Sequence, residues 1–425
     1  MKSPRAKHNI MAVSANNAET ALNTEQTLDT SLLCNVGDII NLEPRREDNV
    51  DEMTGKEEAD TIYDNGATAS GTLTFEKAQP QHFAFLYAFG LGSVSTETEG
   101  AGKRHTITPI DGDLAENRSN PGFTLSQRFG KTVAYRRFAS MFVDEVTATF
   151  AKDAWVTITG SLKGTGKHTD SITEETVVAA GNATSLTLAA NAVSGMTDAE
   201  RLDAIHRIRV ELTTGVWTEV SYSAVSSDTP AVITITPPTT ETTNKNYKVL
   251  YAPKEAAWMT MPSRVEESPL RVAQIAVNFG GAWTGTVFSG GKTLNSEISS
   301  IEYTLSNDMA IEFVPGAGDV YAARAFRNGR SQTIKLSREF HNFILQQHII
   351  ANDTVGMQII CTGAEFATGE KYEVKLIFPK LGVLSAPISV DGKVLAEAGD
   401  LKVLEHATYG SVIVSVLNQV ETYAA

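Results

Sequence analysis

The sequence predicts a mainly β protein, and three observations support this. Segments rich in Thr and Val recur along the chain, turn signals separate them, and convincing amphipathic helices are few. VDEVTATF and WVTITGSLKG show the pattern most clearly, because apolar and polar residues alternate strictly on both sides of a short turn at Lys152 and Asp153. Such period-two alternation is typical of a strand pair with one buried and one wet face.

The chain repeats one motif in its two halves. Around residue 65 it reads NGATASGTLTFEKAQPQHFAF, and around residue 328 it reads NGRSQTIKLSREFHNFIL. Each copy has an Asn-Gly pair that predicts a turn, then a Ser-x-Thr strand, a basic residue and an aromatic run with helical spacing. Two long copies indicate a duplicated domain, since a solenoid needs three or more short units. In the first copy the helix should start near Pro80, and the residues expected to face the sheet are Phe83, Leu86 and Tyr87.

Shifts in composition predict four segments. Residues 1–31 are polar and irregular, and they predict an extended N-terminal arm. The two copies should occupy residues 32–165 and 256–425. Between them, residues 166–255 hold five or six short strands and a possible helical turn at DAERLDAI, which predicts an inserted β-sandwich.

Charge and cysteine usage limit the possible function. The net charge is −14, which argues against a dedicated nucleic-acid binder, since such proteins neutralise phosphates with cationic side chains. Cys34 and Cys361 lie too far apart in sequence for a disulfide framework, so synthesis in a reducing cytoplasm is expected. We expect no secretory signal and no membrane span, because no continuous apolar stretch of sufficient length is present.

Motifs for catalysis or cofactor binding find no support in the residues. Gly291-Lys292-Thr293 lacks the upstream glycine of a phosphate loop, because the position five before the second glycine is Thr286. His341 and His348 have no Cys or acidic partner at metal-ligand spacing, and no G-x-S-x-G elbow occurs. We therefore expect a protein that is not an enzyme and that carries no cofactor and no metal.

The repeated strand-helix motif and the Thr-rich hairpin resemble the tail tube proteins of long-tailed bacteriophages. The sequences that carry the resemblance are GTLTFEKAQPQHFAFLYAFGLGS, VDEVTATFAKDAWVTITGSLKG and the closing LIFPKLGVL…VDGKVLAEAGDLKVL…VIVSVLN. The resemblance covers about residues 32–163 and 258–420. It implies two tail-tube-type domains that form β-sandwiches or barrels, each with a flanking helix, plus an inserted immunoglobulin-like β-sandwich.

The same resemblance implies a structural protein of the virion tail, made in the host cytoplasm. Its inner sheets would join copies of the chain into a ring, and stacked rings would conduct phage DNA without binding it specifically. A chain with two such domains implies three copies per ring, with a total charge of 3 × −14 = −42. The other implied partners are tail proteins at the tube ends and a tape measure protein inside. A projecting insertion would favour a sheathless, flexible tail.

Two sets of residues are candidates for roles in such a tube. The wet face of the hairpin would line the lumen with small neutral groups, through Thr147, Thr149, Thr157, Thr159 and Ser161; the alternative is that this face points outward to solvent. The acidic loop after GDIINLEP would dock onto the next ring, through Glu47, Asp48, Asp51, Glu52, Glu57 and Glu58. It has the length of the long stacking loop of the family.

A different class of function is a binding module. Here the central β-sandwich would attach to carbohydrate on the host surface, with Trp217 and Tyr222 as stacking platforms and the flanking units as scaffold. Lone aromatic residues in such folds are more often part of the core. A surface-degrading hydrolase or lyase is a further alternative, and the missing catalytic constellation speaks against it.

Overall fold

The computed structural model describes residues 5–110, 118–130, 134–254, 257–315 and 320–424. Strands dominate these residues, and the mainly β class predicted from the sequence is confirmed. The chain divides into two compact units. The large unit contains Val13–Leu125, Phe138–Lys167 and the chain from Ser263 onward, and the small unit contains the chain up to Ala12, Ser126–Arg137 and His168–Pro262.

The first part of the chain contains nine strands and one long helix. A 3-10 turn at Ala6–His8 precedes them. The strands are β1 (Ile10–Val13), β2 (Thr30–Leu32), β3 (Asn41–Asp48), β4 (Ile62–Phe75), β5 (Gly92–Glu99), β6 (Gly102–Pro109), β7 (Phe123–Phe129), β8 (Ala134–Ala151) and β9 (Thr157–Gly164). The helix is α1 (Pro80–Leu91), so its predicted start at Pro80 is confirmed.

The small unit contains two antiparallel sheets that share one apolar core. Its elements are β10 (His168–Asp170), β11 (Thr173–Ala180), β12 (Ser185–Thr187), α2 (Asp198–Asp203), β13 (Ile205–Thr213), β14 (Val216–Glu219), β15 (Tyr222–Val225), β16 (Val232–Ile235) and β17 (Asn244–Tyr251). One sheet has the order β11-β17-β13-β14 and the other β12-β16-β15. Sequence reasoning missed β11, because its buried neighbour β17 lies more than sixty residues later in the chain.

The last part of the chain belongs mostly to the large unit. It begins with 3-10 turns at Ala257–Met259 and Val272–Gln274. The strands and the helix are β18 (Ile275–Trp283), β19 (Phe288–Ser289), β20 (Lys292–Thr293), β21 (Ile298–Ser306), β22 (Met309–Glu312), β23 (Arg324–Arg327), β24 (Ser331–Glu339), α3 (Ile344–Ala351), β25 (Val355–Ala367), β26 (Glu370–Ser385), β27 (Ile388–Asp391), β28 (Val394–Val403) and β29 (Ile413–Asn418). Gly392 and Lys393 form a two-residue hairpin turn between β27 and β28.

Two antiparallel runs of strands build the large unit. The first, which we call the front sheet, has the order β3-β4-β9-β8-β21-β24-β28-β27. The second has the order β5-β6-β29-β26-β25-β18. The two runs are connected where the end of β26 pairs with β28. The front sheet stays open, since β3 and β27 each pair with a single strand among the described residues.

Helix α1 fills the space behind the front sheet, and all twelve of its residues are buried. Phe83 packs against Phe150 of β8, and Tyr87 stacks on Tyr303 of β21, with ring centroids 6.3 and 5.9 Å apart. These contacts confirm that the face predicted from the sequence meets the sheet. The helix is not amphipathic, because β6 and β29 cover its opposite side.

The predicted segments map onto these units as follows. Most of residues 32–165 and 256–425 lies in the large unit, and most of residues 166–255 lies in the small unit. The predicted boundary between residues 255 and 256 lies outside the described residues. The N-terminal segment includes β1 and is held by hydrogen bonds, since Asn23 N donates to Ser140 Oγ at 2.7 Å.

Candidate functional site

The five residues proposed to line a lumen lie together on the exposed face of the β8–β9 hairpin. Thr147 lies opposite Thr159, and Thr149 lies opposite Thr157. Ser161 lies opposite Glu145 in the same ladder. All five candidates are partly exposed, whereas the residues between them are buried. The alternation in VDEVTATF and WVTITGSLKG therefore predicted this face correctly.

The exposed face continues across strands of both halves of the chain. Five threonines stand directly opposite one another on β4, β9, β8, β21 and β24, and we call them the threonine row: Thr74, Thr159, Thr147, Thr304 and Thr333. The hydroxyls of Thr147 and Thr304 lie 3.2 Å apart and share a hydrogen bond. Side-by-side β-branched residues stabilise a sheet through cross-strand contact. Sequence reasoning missed that Thr304 and Thr333 extend the face.

Serines and balanced charges surround the threonine row. On β4, β9, β8, β21, β24 and β28 the same face carries three lysines (Lys163, Lys335, Lys402) and four carboxylates (Glu145, Glu302, Glu339, Asp400). Their sum is 3 − 4 = −1, although the whole chain carries −14. Some are paired, since Lys335 Nζ lies 3.6 Å from Glu302. This face is therefore polar, nearly balanced in charge and dominated by hydroxyl groups.

The strands of the front sheet form two structurally equivalent sets of four. The Asn-Gly pairs show this, because each interrupts the long strand at the same place, β4 at Asn65-Gly66 and the β23–β24 segment at Asn328-Gly329. On β3 and β4 the pair 44↔67 is followed by the pair 46↔64. The pair 306↔331 of β21 and β24 is likewise followed by the pair 309↔327 of β22 and β23. The register therefore shifts by one residue in both cases. The predicted turns are thus wrong. Asn65-Gly66 forms a β-bulge, with Gly66 at φ 87°, and Asn328-Gly329 is a break between strands.

Each of the two sets of strands also has a glycine that lies directly under a leucine of the helix packed on it. A Cβ at Gly160 of β9 would lie 2.6 Å from a Leu86 methyl of α1, and a Cβ at Gly399 of β28 would lie 2.8 Å from a Leu345 methyl of α3. Both helices therefore approach their sheet through a glycine. Sequence reasoning missed this pair, because neither glycine stands in a turn signal.

The six carboxylates proposed for docking lie on a hairpin made by the tips of β3 and β4 and the turn between them. We call residues 45–64 the acidic hairpin. Glu47 and Asp48 belong to β3, so the prediction of a loop is wrong at these two positions; the strand pairing with Tyr63 and Ile62 continues that far. Almost every residue of the acidic hairpin is exposed. Asn49 is buried, and its Oδ1 accepts hydrogen bonds from the backbone N–H groups of Asp60 and Thr61.

Ion pairs within the acidic hairpin leave the candidate residues available. Arg46 pairs with Asp64 at 3.5 Å, and Lys56 pairs with Asp60. Among the described residues, none of the six candidates makes an ion pair: Glu47, Asp48, Asp51, Glu52, Glu57 and Glu58. Large apolar side chains are also exposed there, namely Val50, Met53 and Ile62. An exposed mixture of uncompensated charge and apolar surface is suited to contact with another molecule.

Three titratable side chains, those of His82, Cys34 and Cys361, have pKa values shifted by burial. Burial lowers the pKa of His82 to about 3, and its ring stacks on Phe75 at 3.9 Å. Burial raises the pKa of Cys34 and of Cys361 to about 12, so neither thiol is a ready nucleophile.

No cluster of three or more metal-ligating side chains occurs among the described residues. No helix in the same residues is long and apolar enough to cross a membrane.

The aromatic residues proposed for sugar stacking lie in the small unit. Trp217 is half-buried, and Lys248 Nζ lies 5.0 Å from the centroid of its indole. Arg209 lies 5.9 Å from the same centroid. The hydroxyl of Tyr222 donates to the carbonyl of Ile205. Cation contacts and a structural hydrogen bond thus engage both side chains.

Comparison of the sequence with protein-family models and with curated proteins finds no match.

Proposed function

We propose that the chain is the major tail tube subunit of a long-tailed bacteriophage. The threonine row supports this proposal most directly. It runs without interruption across strands of both halves, so two wall-forming segments would share one continuous lining. The resemblance of the repeated strand-helix motif to tail tube proteins points the same way. Three copies would form one ring, and rings would stack into the tube of the virion tail.

A hydroxyl surface without excess positive charge suits a conduit for DNA. A protein that grips DNA releases counterions through an excess of lysine and arginine. The face around the threonine row has no such excess, since its three lysines stand among four carboxylates. Phage DNA would pass such a wall without specific binding, and a tape measure protein would occupy the lumen before ejection.

The acidic hairpin supports the stacking of rings. Its six carboxylates without ion pairs and its exposed Met53 would meet the adjacent ring, and tail proteins at the tube ends would use the same contacts. A second function is not proposed, because Lys248 and Arg209 already lie over the indole of Trp217 and no further observation favours sugar binding.

Negative-stain electron microscopy of the purified protein at high concentration tests the proposal. We expect rings or tubes of uniform width, with three chains per ring by mass photometry. A chain that stays monomeric at every concentration would contradict it.

Cysteine labelling of assembled tubes tests which way the face points. In a Thr149→Cys variant, a small maleimide should react along the tube, whereas a maleimide on a large polymer should react only at its ends. A Val178→Cys variant in the small unit is the matched control, because Val178 is exposed and should react with both reagents. Equal reaction of Thr149→Cys with both reagents would mean that the face lies outside.

A further inference from the structure

The two Asn-Gly pairs hold equivalent places in the two sets of strands, but their surroundings differ. Asparagine followed by glycine loses its side-chain amide readily, because glycine has no Cβ to hinder attack by its own backbone nitrogen on the asparagine side chain. The attack also needs a glycine N–H that is free of hydrogen bonds and a peptide that can move. The local structure therefore decides whether each pair reacts.

The first pair, Asn65-Gly66, is held in place. Gly66 is buried within β4, and its N–H donates to Asp64 Oδ1 at 3.1 Å. The carbonyl of Val320 packs against the same glycine, since a Cβ at Gly66 would lie 2.2 Å from that oxygen. The negative charge of Asp64 also disfavours an anionic nitrogen next to it. Attack on Asn65 therefore requires the β-bulge to open first.

The second pair, Asn328-Gly329, is open. Asn328 is exposed, and Gly329 lies outside both β23 and β24. Asn328 N donates to Asp308 O at 3.0 Å, but Gly329 N makes no hydrogen bond among the described residues. A Cβ on Gly329 would have no atom within 4 Å apart from those of its chain neighbours. The backbone nitrogen and the side-chain amide that it would attack are thus both accessible.

Two arginines flank the second pair, Arg327 before it and Arg330 after it. Arg330 makes no ion pair among the described residues, and its guanidinium donates over 3.5 and 3.4 Å to Asn307 Oδ1 and to the carbonyl of Leu91. Burial, and after it the charge of Arg327, lower the pKa of Arg330 to about 10, so it remains a cation at pH 8. These cations favour both an anionic backbone nitrogen and the carboxylate that forms from it.

We propose that Asn328 is a site of spontaneous deamidation, at which the folded chain converts asparagine to aspartate and isoaspartate. Hydroxide takes the proton of Gly329 N, and the nitrogen attacks Asn328 Cγ. Ammonia leaves with a proton from water, and a cyclic succinimide remains. Water then opens the ring at either carbonyl. The overall change consumes water, releases ammonium and adds a carboxylate to the chain. The inference does not rest on the proposed function.

The break between β23 and β24 can accept the isoaspartate product, which lengthens the main chain by one carbon. Residues 328–330 lie between the pairs 309↔327 and 306↔331 and belong to neither ladder, so the register on both sides is kept. In β4 the same insertion would fall within a paired strand and would displace residues from their register.

Peptide mass spectrometry of the folded chain after incubation at pH 8, with labelling by isoaspartyl methyltransferase, tests the proposal. Cleavage after glutamate gives residues 59–76 and 313–339 as separate peptides, and each contains a single asparagine. We expect aspartate and isoaspartate to accumulate on 313–339 at least about tenfold faster than on 59–76, since Asn65 reacts only through local opening. In guanidinium chloride the two pairs of the unfolded chain should react at similar rates, which is the internal control.

Gly329→Ala is the matched variant, because the new Cβ has space and the φ of Gly329 is not positive. It should slow the reaction at Asn328 by about tenfold or more, since the Cβ hinders the attacking nitrogen, and it should leave the melting temperature unchanged. Equal rates at the two pairs of the folded chain would overturn the proposal. So would an Asn328 that stays intact in the folded chain for as long as the unfolded chain needs to react completely. Neither outcome bears on whether the chain builds tubes.

Discussion

Replacing Glu267 by glutamine should make the protein more stable at pH 8 and change little at pH 5. Glu267 is 7% exposed, and one of its oxygens accepts a hydrogen bond from Gln81 N in the first turn of α1, at 2.7 Å. The other oxygen is buried without a hydrogen bond. Burial raises the pKa of this carboxyl from 4.5 to about 7, and the hydrogen bond from Gln81 and the nearby amide of Asn418 oppose the shift. Tyr372 and Tyr423 are the titratable groups that face it.

The sign and size of the effect follow from proton linkage. Between pH 4.5 and pH 7 the folded protein holds a proton that the unfolded chain has lost, so the free energy of unfolding falls as pH rises through this range. The rise of this pKa from 4.5 to about 7 corresponds to about 3 kcal/mol at pH 8. The amide that Glu267→Gln introduces keeps an acceptor for Gln81 N and carries no charge, so the substitution removes this cost.

Urea unfolding of dilute monomer at pH 5 and pH 8 measures the difference. The wild-type chain should lose about 2.5 kcal/mol of this contribution between the two pH values, and Glu267→Gln should not. Glu58→Gln on the exposed acidic hairpin is the matched control and should behave like the wild type. The reasoning is refuted if Glu267→Gln is less stable than the wild type at pH 8, or if it retains the same pH difference.

Three further changes have expected outcomes. Gly160→Ala should cost about 1–3 kcal/mol in thermal unfolding, because the new Cβ would meet Leu86; an unchanged melting temperature would mean that α1 can shift away. Arg338→Met should cost about 3–5 kcal/mol in urea unfolding, because it leaves the buried Glu397 without its cation; wild-type stability would contradict a stabilising role for this ion pair. Deleting residues 49–61 should leave rings but shorten or abolish tubes in electron micrographs, and tubes of full length would exclude this hairpin from stacking.

The parts of the fold that depend on neighbours in sequence were predictable. The β8–β9 hairpin is local, so strict alternation identified both its buried face and its exposed threonines. Pro80 at the first turn likewise marked the start of α1. The pairing of β8 with β21 could not be predicted, because the whole small-unit segment separates Ala151 from Ser300, and period two specifies a face without specifying a partner.

Two errors have the same physical origin. Asn65-Gly66 was predicted as a turn, but a glycine with positive φ serves a β-bulge equally well when strand pairing continues beyond it; here Asp64 Oδ1 accepts a hydrogen bond from Gly66 N at 3.1 Å. For α1, the sequence predicted three residues that face a sheet, but a second layer of strands buries the opposite side of the helix as well. In both cases, pairing with strands that are distant in sequence determined which local conformation the chain adopts. The same reason explains why the sequence predicted a loop at Glu47 and Asp48, where β3 continues.

The pairing of β8 with β21 has a consequence for how assembly depends on concentration. Because both strands belong to one chain, they meet at an effective concentration in the millimolar range or above, whatever the amount of protein present. Half of the contacts in the proposed ring are then made when the monomer folds, and three encounters between molecules complete it. The rate of ring formation should therefore respond to protein concentration less steeply than for a ring built from six separate domains.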